Sequence, residues 1–355
     1  MKDLIINGKT IGLGHPTYFI ADIAANHDGD LERAKKLIYL AKEAGADAAK
    51  FQHFKAQTIV SKEGFESLGG QQSHQSKWKQ SVFEVYKQAS VPDNWTQTLH
   101  DTCQEVGIDF FTSPYSHEAI DMIDPYVPAY KIGSGDITWL EIIRKICAQG
   151  KPVLLATGAS TMAEVEQAVA VLEAEAVSYG IMQCNTNYTA ALENFHYINL
   201  NVLQSYKLAF PQVPLGLSDH TAGHATVLGA VALGACCIEK HFTDDTEREG
   251  PDHKFSMTPK TWREMVDRTR ELERALGDGI KRVEGNEQET VVLQRRALRA
   301  TQDIPAQTSL TEELVEALRP APLDSLPPSQ IEKVLGKATN KDLKKGDLIL
   351  LQDVE

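Results

Sequence analysis

The chain of 355 residues is long enough for one large domain, or one large and one small. Hydrophobic residues at 42% and charged residues at 24% are values of a soluble globular protein with a sizeable core. A formal net charge of −13 argues against nucleic acid or an anionic membrane as the main partner, and an anionic substrate would need local cations.

The opening residues, MKDLIINGKT, lack the apolar stretch of a signal peptide. No apolar run approaches the roughly 20 residues that span a bilayer. The cysteines are Cys103, Cys147, Cys184, Cys236 and Cys237. Their odd number and lack of CxxC spacing argue against a disulfide framework or a structural zinc. Reduced thiols in a cytoplasmic protein are the expectation.

Short β-rich apolar runs then recur in order: Phe19–Ala24, Ala48–Phe54, Asp109–Pro114, Ala129–Gly135, Pro152–Gly158, Gly180–Thr186, Leu215–Thr221 and Cys236–Phe242. Most are separated by segments with apolar residues at i, i+3, i+4 and i+7, such as LERAKKLIYLAKEAGA and TMAEVEQAVAVLEAEA. Alternation of strand and helix implies parallel strands with right-handed crossovers. Eight such units in roughly 250 residues predict a closed (β/α)₈ TIM barrel. Each run is apolar in its body and polar or small at its C-terminal end, where such barrels build their active sites.

The barrel pattern ends near Gly277, after PKTWREMVDRTRELERALG. Residues 278–294 read as a polar linker. From Arg295 to Glu355 the chain is Pro-rich and repeats a phrase, ATQDIPAQTSL and ATNKDLKKGDLI, which predicts a small, mostly β domain. About 60 residues give a marginal core, so this domain is expected to dock on a partner.

Chemistry concentrates at the strand ends. His220 closes GLSDHT and His241 closes IEKHFTD, on neighbouring strands. Two imidazoles there suit Mn, Fe, Co or Zn and leave coordination positions open, or they are hydrogen-bonded rim histidines without a metal. Asp219 and Glu239 are candidates to orient the rings, or are ordinary buried hydrogen-bond acceptors. Lys50 and Lys131 lie inside strands and each needs an anionic partner. That partner is an internal carboxylate or a bound phosphate or carboxylate. A Schiff-base lysine, as in metal-free aldolases, is the third alternative. Hydroxyls and glycines at neighbouring ends, among them Thr112, Ser134 and Ser218, would complete a cradle for a small dianion. Asp22, Asp136 and Asp252 are candidate acids or bases. Asn26 and His27 precede a helix that Asp28 or Asp30 would cap.

Taken together, FIADIAANHDGD, FFTSP, YKIGSGD, LATG, GLSDHT, AVALGA and IEKHFTDD followed by GPDH resemble the N-acetylneuraminate (sialic acid) synthase family. The tail resembles that family's antifreeze-like (SAF) domain. The resemblance implies condensation of phosphoenolpyruvate with N-acetylmannosamine or a related amino sugar to a nine-carbon 2-keto-3-deoxy acid. It implies His220 and His241 as ligands of a divalent metal, usually Mn²⁺. It implies Lys50, Thr112, Lys131, Ser134, Tyr188 and Ser218 as phosphoenolpyruvate contacts and Asp252 as a sugar contact. It also implies a domain-swapped homodimer in which Arg319 enters the neighbouring subunit's barrel mouth. The reading assigns catalytic work to Asp22, Lys131 and Asp136.

The sequence departs from the family pattern in places. Asp22 and Asp136 stand where glutamate is common, each one methylene shorter. Ala156 replaces a frequent serine, QCNTNYTA replaces a CT..YP phrase, and RPAPLD replaces a glycine-rich one. The main alternative is a metal-free, pyruvate-dependent Schiff-base aldolase with Lys131 as the nucleophile.

Overall fold

Asn7 and Gly8, both at positive φ (48° and 76°), turn the chain between β1 (Leu4–Ile6) and β2 (Lys9–Ile11). Asn-Gly is the dipeptide most suited to such a two-residue hairpin. Neither strand is among the eight predicted runs. In the computed structural model, which describes residues 2–68, 75 and 78–355, eight parallel strands follow. They are β3 (Tyr18–Asp22), β4 (Ala48–His53), β5 (Asp109–Pro114), β6 (Tyr130–Ile132), β7 (Val153–Ala156), β8 (Tyr179–Cys184), β9 (Leu215–Asp219) and β10 (Ala235–His241). Each corresponds to one predicted run. β6 is shorter than predicted because Gly133 leads into a tight turn over Ser134–Asp136.

Hydrogen bonding runs in the order β5-β4-β3-β10-β9-β8-β7-β6. The end strands β5 and β6 pack against each other, so the sheet curls into a near-closed (β/α)₈-like barrel. Side chains alternate between its two faces. Ile20, Phe111, Leu154 and Met182 point inward and meet Leu4 and Ile6, so the hairpin plugs the N-terminal end. Phe19, Phe51, Phe110 and Ile181 point outward into the helical layer. The three helices singled out in the sequence form as Leu31–Glu43, Met162–Ala174 and Pro259–Leu276. Asp30, not Asp28, caps the first, accepting from the Glu32 and Arg33 amides.

The same alternation decides between the two expectations for Asp219, in favour of a buried acceptor. It faces outward, paired in register with Lys240. Lys240 Nζ donates to Asp219 Oδ2 at 2.5 Å, and the Thr221 and Thr226 hydroxyls complete the carboxylate at 2.8 and 2.7 Å. Burial would raise this carboxyl, but the Lys240 charge and these hydrogen bonds hold it below its usual range. Asp219 therefore fastens the wall to the helix Ala225–Ala232 and does not orient a histidine.

Residues Met1–Gly277 form one compact unit and Asp278–Glu355 another. The second unit contains the hairpin β11 (Ala297–Ala300) and β12 (Val315–Leu318) and its own core around Ile304, Leu310, Val334 and Ile349. The repeated phrases meet there: Ile304 and Leu343 exchange both backbone hydrogen bonds, at 2.7 and 2.8 Å. Gln288–Gln294 is helical, and Val292 O accepts from Ala321 N at 2.8 Å. Among the described residues no helix is long and apolar enough to cross a membrane.

Lys240→Met should leave the Asp219 carboxylate buried without its cation and destabilise the barrel by about 3–5 kcal/mol. Denaturant unfolding followed by tryptophan fluorescence measures this; a loss under about 1 kcal/mol would place the pair among dispensable contacts.

Candidate active site

Inward-facing charges meet near the C-terminal ends of β3, β4, β6 and β10. Asp22 and Lys50 are register partners, and Lys50 Nζ donates to Asp22 Oδ2 at 2.5 Å. Gln52 Nε2 donates to the same oxygen at 2.9 Å, and the Ala24 amide donates to Asp22 Oδ1 at 3.1 Å. Glu239 lies between the two lysines. Its Oε1 is 3.6 Å from Lys50 Nζ, 3.5 Å from Lys131 Nζ and 3.3 Å from the donating Ser218 hydroxyl. The side chains of Asp22, Lys50, Lys131, Ser218 and Glu239 are buried, and Gln52 is half-buried. Burial alone would lower Lys50, but the Asp22 and Glu239 charges raise it. The cluster holds two cations and two anions, so it is electrically balanced. Glu239 Oε2 is buried without a hydrogen-bond partner.

The histidines face each other beside this cluster, ring centroids 5.3 Å apart. His220 Nδ1 donates to Asn185 O at 2.9 Å, and the ring also hydrogen-bonds Cys184. Burial would lower His220, but its hydrogen bond and charge interaction with Cys184 raise it. His241 is held well below its usual value by burial and by the charges of His220 and Lys50, so its ring is neutral. His241 Nδ1 is buried with no hydrogen-bond partner, 4.0 Å from Asp252 Oδ2. Its Nε2 is 3.6 Å from Asp22 Oδ2. Tyr188 and Phe255 wall the pair, with ring centroids 4.5 Å from His220 and 4.8 Å from His241.

An unpartnered neutral imidazole nitrogen facing a second imidazole, with a carboxylate close by, is a donor set that fits a divalent cation. Among the described residues no three or more His, Cys, Asp or Glu are grouped to hold a metal ion. A metal here would rest on two imidazoles and take its other donors from water and substrate.

A cavity of about 390 Å³ opens above, within the range of small-molecule sites. Ser134, Asp136, Tyr188, His241 and Asp252 line its floor and sides. Burial pushes Asp136 up to about 6. Burial and the nearby Asp22 charge push Asp252 up to about 6 as well, against the pull of the Ala25 amide that it accepts from at 3.1 Å. The roof comes from the long segment between β4 and β5, including the helix Val82–Ala89.

The structure therefore brings Asp22, Lys50, Lys131, Ser134, Asp136, Tyr188, Ser218, His220, His241 and Asp252 to one barrel mouth. Ser134 Oγ accepts from the Gly158 amide at 2.9 Å. Thr112 differs. It lies on the outward face of β5, and its hydroxyl is engaged by His53 Nδ1 at 2.7 Å. His53 Nε2 in turn meets Thr96 Oγ1 at 2.9 Å. One-residue alternation gives the inward position to Ser113, whose buried hydroxyl has no partner. Arg319 lies in the second unit, exposed, its Nε donating to Gln294 O at 2.7 Å. Sequence reasoning missed Gln52, Tyr115, Phe255 and the roof; only the polar end of KFQHF signalled Gln52.

A parallel barrel with a buried charge cluster, facing imidazoles and an open cleft at its strand C-termini has the architecture of an enzyme. Residues 37–281 match the NeuB family model and residues 295–355 the SAF domain model, and the chain belongs to this sialic acid synthase family. It is 35% identical over 337 residues to the N,N'-diacetyllegionaminic acid synthase of Campylobacter jejuni, covering 94% of this chain and 98% of that one. It is also 35% identical to a pseudaminic acid synthase of the same species, over 95% of this chain and 96% of that one. A solved N-acetylneuraminic acid synthetase from Leptospira borgpetersenii superposes with a TM-score of 0.71 at 28% identity, covering 82% of this chain and 95% of that one.

Raised carboxyls keep their protons to higher pH and become neutral as pH falls through about 6. Carboxyl-detected NMR of the full chain should show two aspartates titrating near pH 6, and Asp136→Asn should remove one of them. Titration of both near the ordinary aspartate value of about 4 would contradict the burial assigned to them.

Proposed function

We propose that this barrel condenses phosphoenolpyruvate with an N-acylated amino-sugar aldehyde, giving a nine-carbon 2-keto-3-deoxy acid and phosphate. The observation that carries the reading is the convergence of Lys50 and Lys131 on one oxygen of Glu239, beside the cleft that His241 lines. The full-length relatedness to synthases of legionaminic and pseudaminic acid supports it.

The two ammonium groups give an acidic protein the local cations that a phosphate and a carboxylate require. Both come from strands, so the enol is held at fixed height against the aldehyde. Asp22 acts through Lys50, fixing its position. His220 and His241 would hold a divalent cation, Mn²⁺ by the family resemblance, which supplies Lewis-acid polarisation of the aldehyde. Carbon 3 of the enol attacks the aldehyde carbon and leaves cationic character at carbon 2. Water adds at carbon 2 and loses its proton, for which Asp136 at the cleft wall is the base. The resulting tetrahedral centre expels phosphate by breaking its C–O bond and gives its hydroxyl proton to the phosphate, the proton taken by Asp136 passes to the alkoxide left from the aldehyde, and the 2-keto acid remains. Lys131 stabilises the departing phosphate. In the same reading Arg319 binds the sugar's N-acyl group through its planar N–H donors, offered by a second copy of the chain.

This reading predicts stoichiometric phosphate release from phosphoenolpyruvate in the presence of an amino-sugar aldehyde. EDTA should abolish the release and Mn²⁺ restore it. Full activity after complete metal removal would exclude the metal assignment, and borohydride trapping of pyruvate on Lys131 would favour the aldolase chemistry.

A further inference from the structure

Asp28 does not cap its helix, and His253 does not line the cleft. The two side chains meet each other instead, across the loops that follow β3 and β10. His253 Nε2 donates to Asp28 Oδ1 at 2.9 Å, and His253 Nδ1 meets the Thr243 hydroxyl at 2.8 Å. The ring is fully buried, so water does not compete for either contact. Asp28 also accepts from Arg248 at 2.7 Å and lies 3.2 Å from Arg33. Burial would raise its carboxyl, but the hydrogen bonds from His253 and Arg248 hold it below its usual range. Gly250 passes close beside this contact. A Cβ there would lie 2.6 Å from His253 Cδ2 and 3.5 Å from Asp28 Oδ1.

His253 stands between two residues of the site. One tight helical turn, His253–Phe255, directly follows Asp252. Asp252 lines the cleft, and its Oδ2 accepts from the Ala25 amide at 3.1 Å. Phe255 packs on His241, ring centroids 4.8 Å apart. The two nitrogens of His241 face different partners: Nε2 lies 3.6 Å from Asp22, and Nδ1 lies 4.0 Å from Asp252. Phosphoenolpyruvate held by the lysines beside Asp22 therefore leaves the Asp252 side to the sugar. The two loops have a second attachment, since Asn26 Nδ2 donates to Phe242 O and to Ser256 Oγ, both at 2.9 Å. Shortening His253 thus loosens the turn without parting the loops.

We propose that His253 is a positioning residue: clasped between Asp28 and Thr243, it sets Asp252 and Phe255 against the sugar side of the histidine pair. The proposal rests on the condensation reading above and adds to it a part for the loop after β10.

The test uses the full chain with Mn²⁺, and phosphate release is followed with the faster of two probe aldehydes, N-acetylmannosamine and a 2,4-diacetamido-2,4,6-trideoxyhexose. His253→Ala should raise the KM for the sugar about tenfold or more while kcat stays within about threefold. Calorimetry should find phosphoenolpyruvate affinity within about twofold of wild type, because the lysine cluster is untouched. His253→Gln, whose amide can donate to Asp28, should bring the KM back to within about threefold of wild type. Gly250→Ala keeps every hydrogen-bonding side chain but wedges the ring away from Asp28, so it should raise the KM as well; it decides the matter if His253→Ala does not fold. An unchanged KM in a folded variant, an equal loss of phosphoenolpyruvate affinity, or a glutamine variant no better than alanine would each overturn the proposal and leave the condensation standing. If neither aldehyde turned over, the condensation reading would fail and hydrogen exchange at the Ala25 amide would decide. Exchange faster by about tenfold or more in His253→Ala would support the clasp, and unchanged exchange would overturn it.

Discussion

Glu239 between Lys50 and Lys131 is the constraint on which the barrel mouth depends. Two ammonium groups inside a protein cost several kcal/mol each unless anions compensate them. Glu239 and Asp22 supply that compensation from β10 and β3, the strands that also carry His241 and lead into the Asn26 loop. Neutralising the lysines this way lets the barrel close around them without a ligand. Glu239 Oε2, still unpartnered, shows that the cluster is not fully satisfied by itself. A site built so has positive groups already in place and nearly immobile, as binding of a small dianion demands.

The histidine pair obeys the same economy of position. β9 and β10 are hydrogen-bonded neighbours, so their ends bring His220 and His241 face to face without any specialised loop. Burial, together with the charges of His220 and Lys50, keeps His241 neutral, and a neutral ring is the form able to donate a lone pair. Charge cluster and donor pair are thus coupled through Asp22, which lies against Lys50 and His241, and through the charge of Lys50. Asp22 is one methylene shorter than the glutamate its position resembles, yet it reaches Lys50 at 2.5 Å and sits 3.6 Å from His241.

Much of this was legible in the sequence because strand order and strand ends are local signals. The run KFQHF announces a strand with a lysine in its body, and periodicity alone puts that lysine in a barrel. Facing direction was less legible. Thr112 and Ser113, or Asp219 and His220, are adjacent, and a shift of one residue moves a side chain from the interior to the helical layer. His53, held by Thr96, settles Thr112, while Lys240 settles Asp219, and His53 and Lys240 are each distant in the chain from the residue they settle. The roof was not legible at all. Its residues come from the long segment between β4 and β5, and only the fold shows Tyr86 and Tyr115 around Phe54. The opening hairpin was missed although its Asn-Gly turn is a strong local signal.

The central claim is that the Lys50–Glu239–Lys131 arrangement is the seat of the anionic substrate. Calorimetric titration of phosphoenolpyruvate into the full chain, without sugar, tests it most directly when wild type is compared with Lys131→Met. Methionine keeps the stem's length and removes the charge, and circular dichroism checks that the barrel persists. The account predicts at least about a tenfold loss of phosphoenolpyruvate affinity. Unchanged affinity in a folded variant would contradict it.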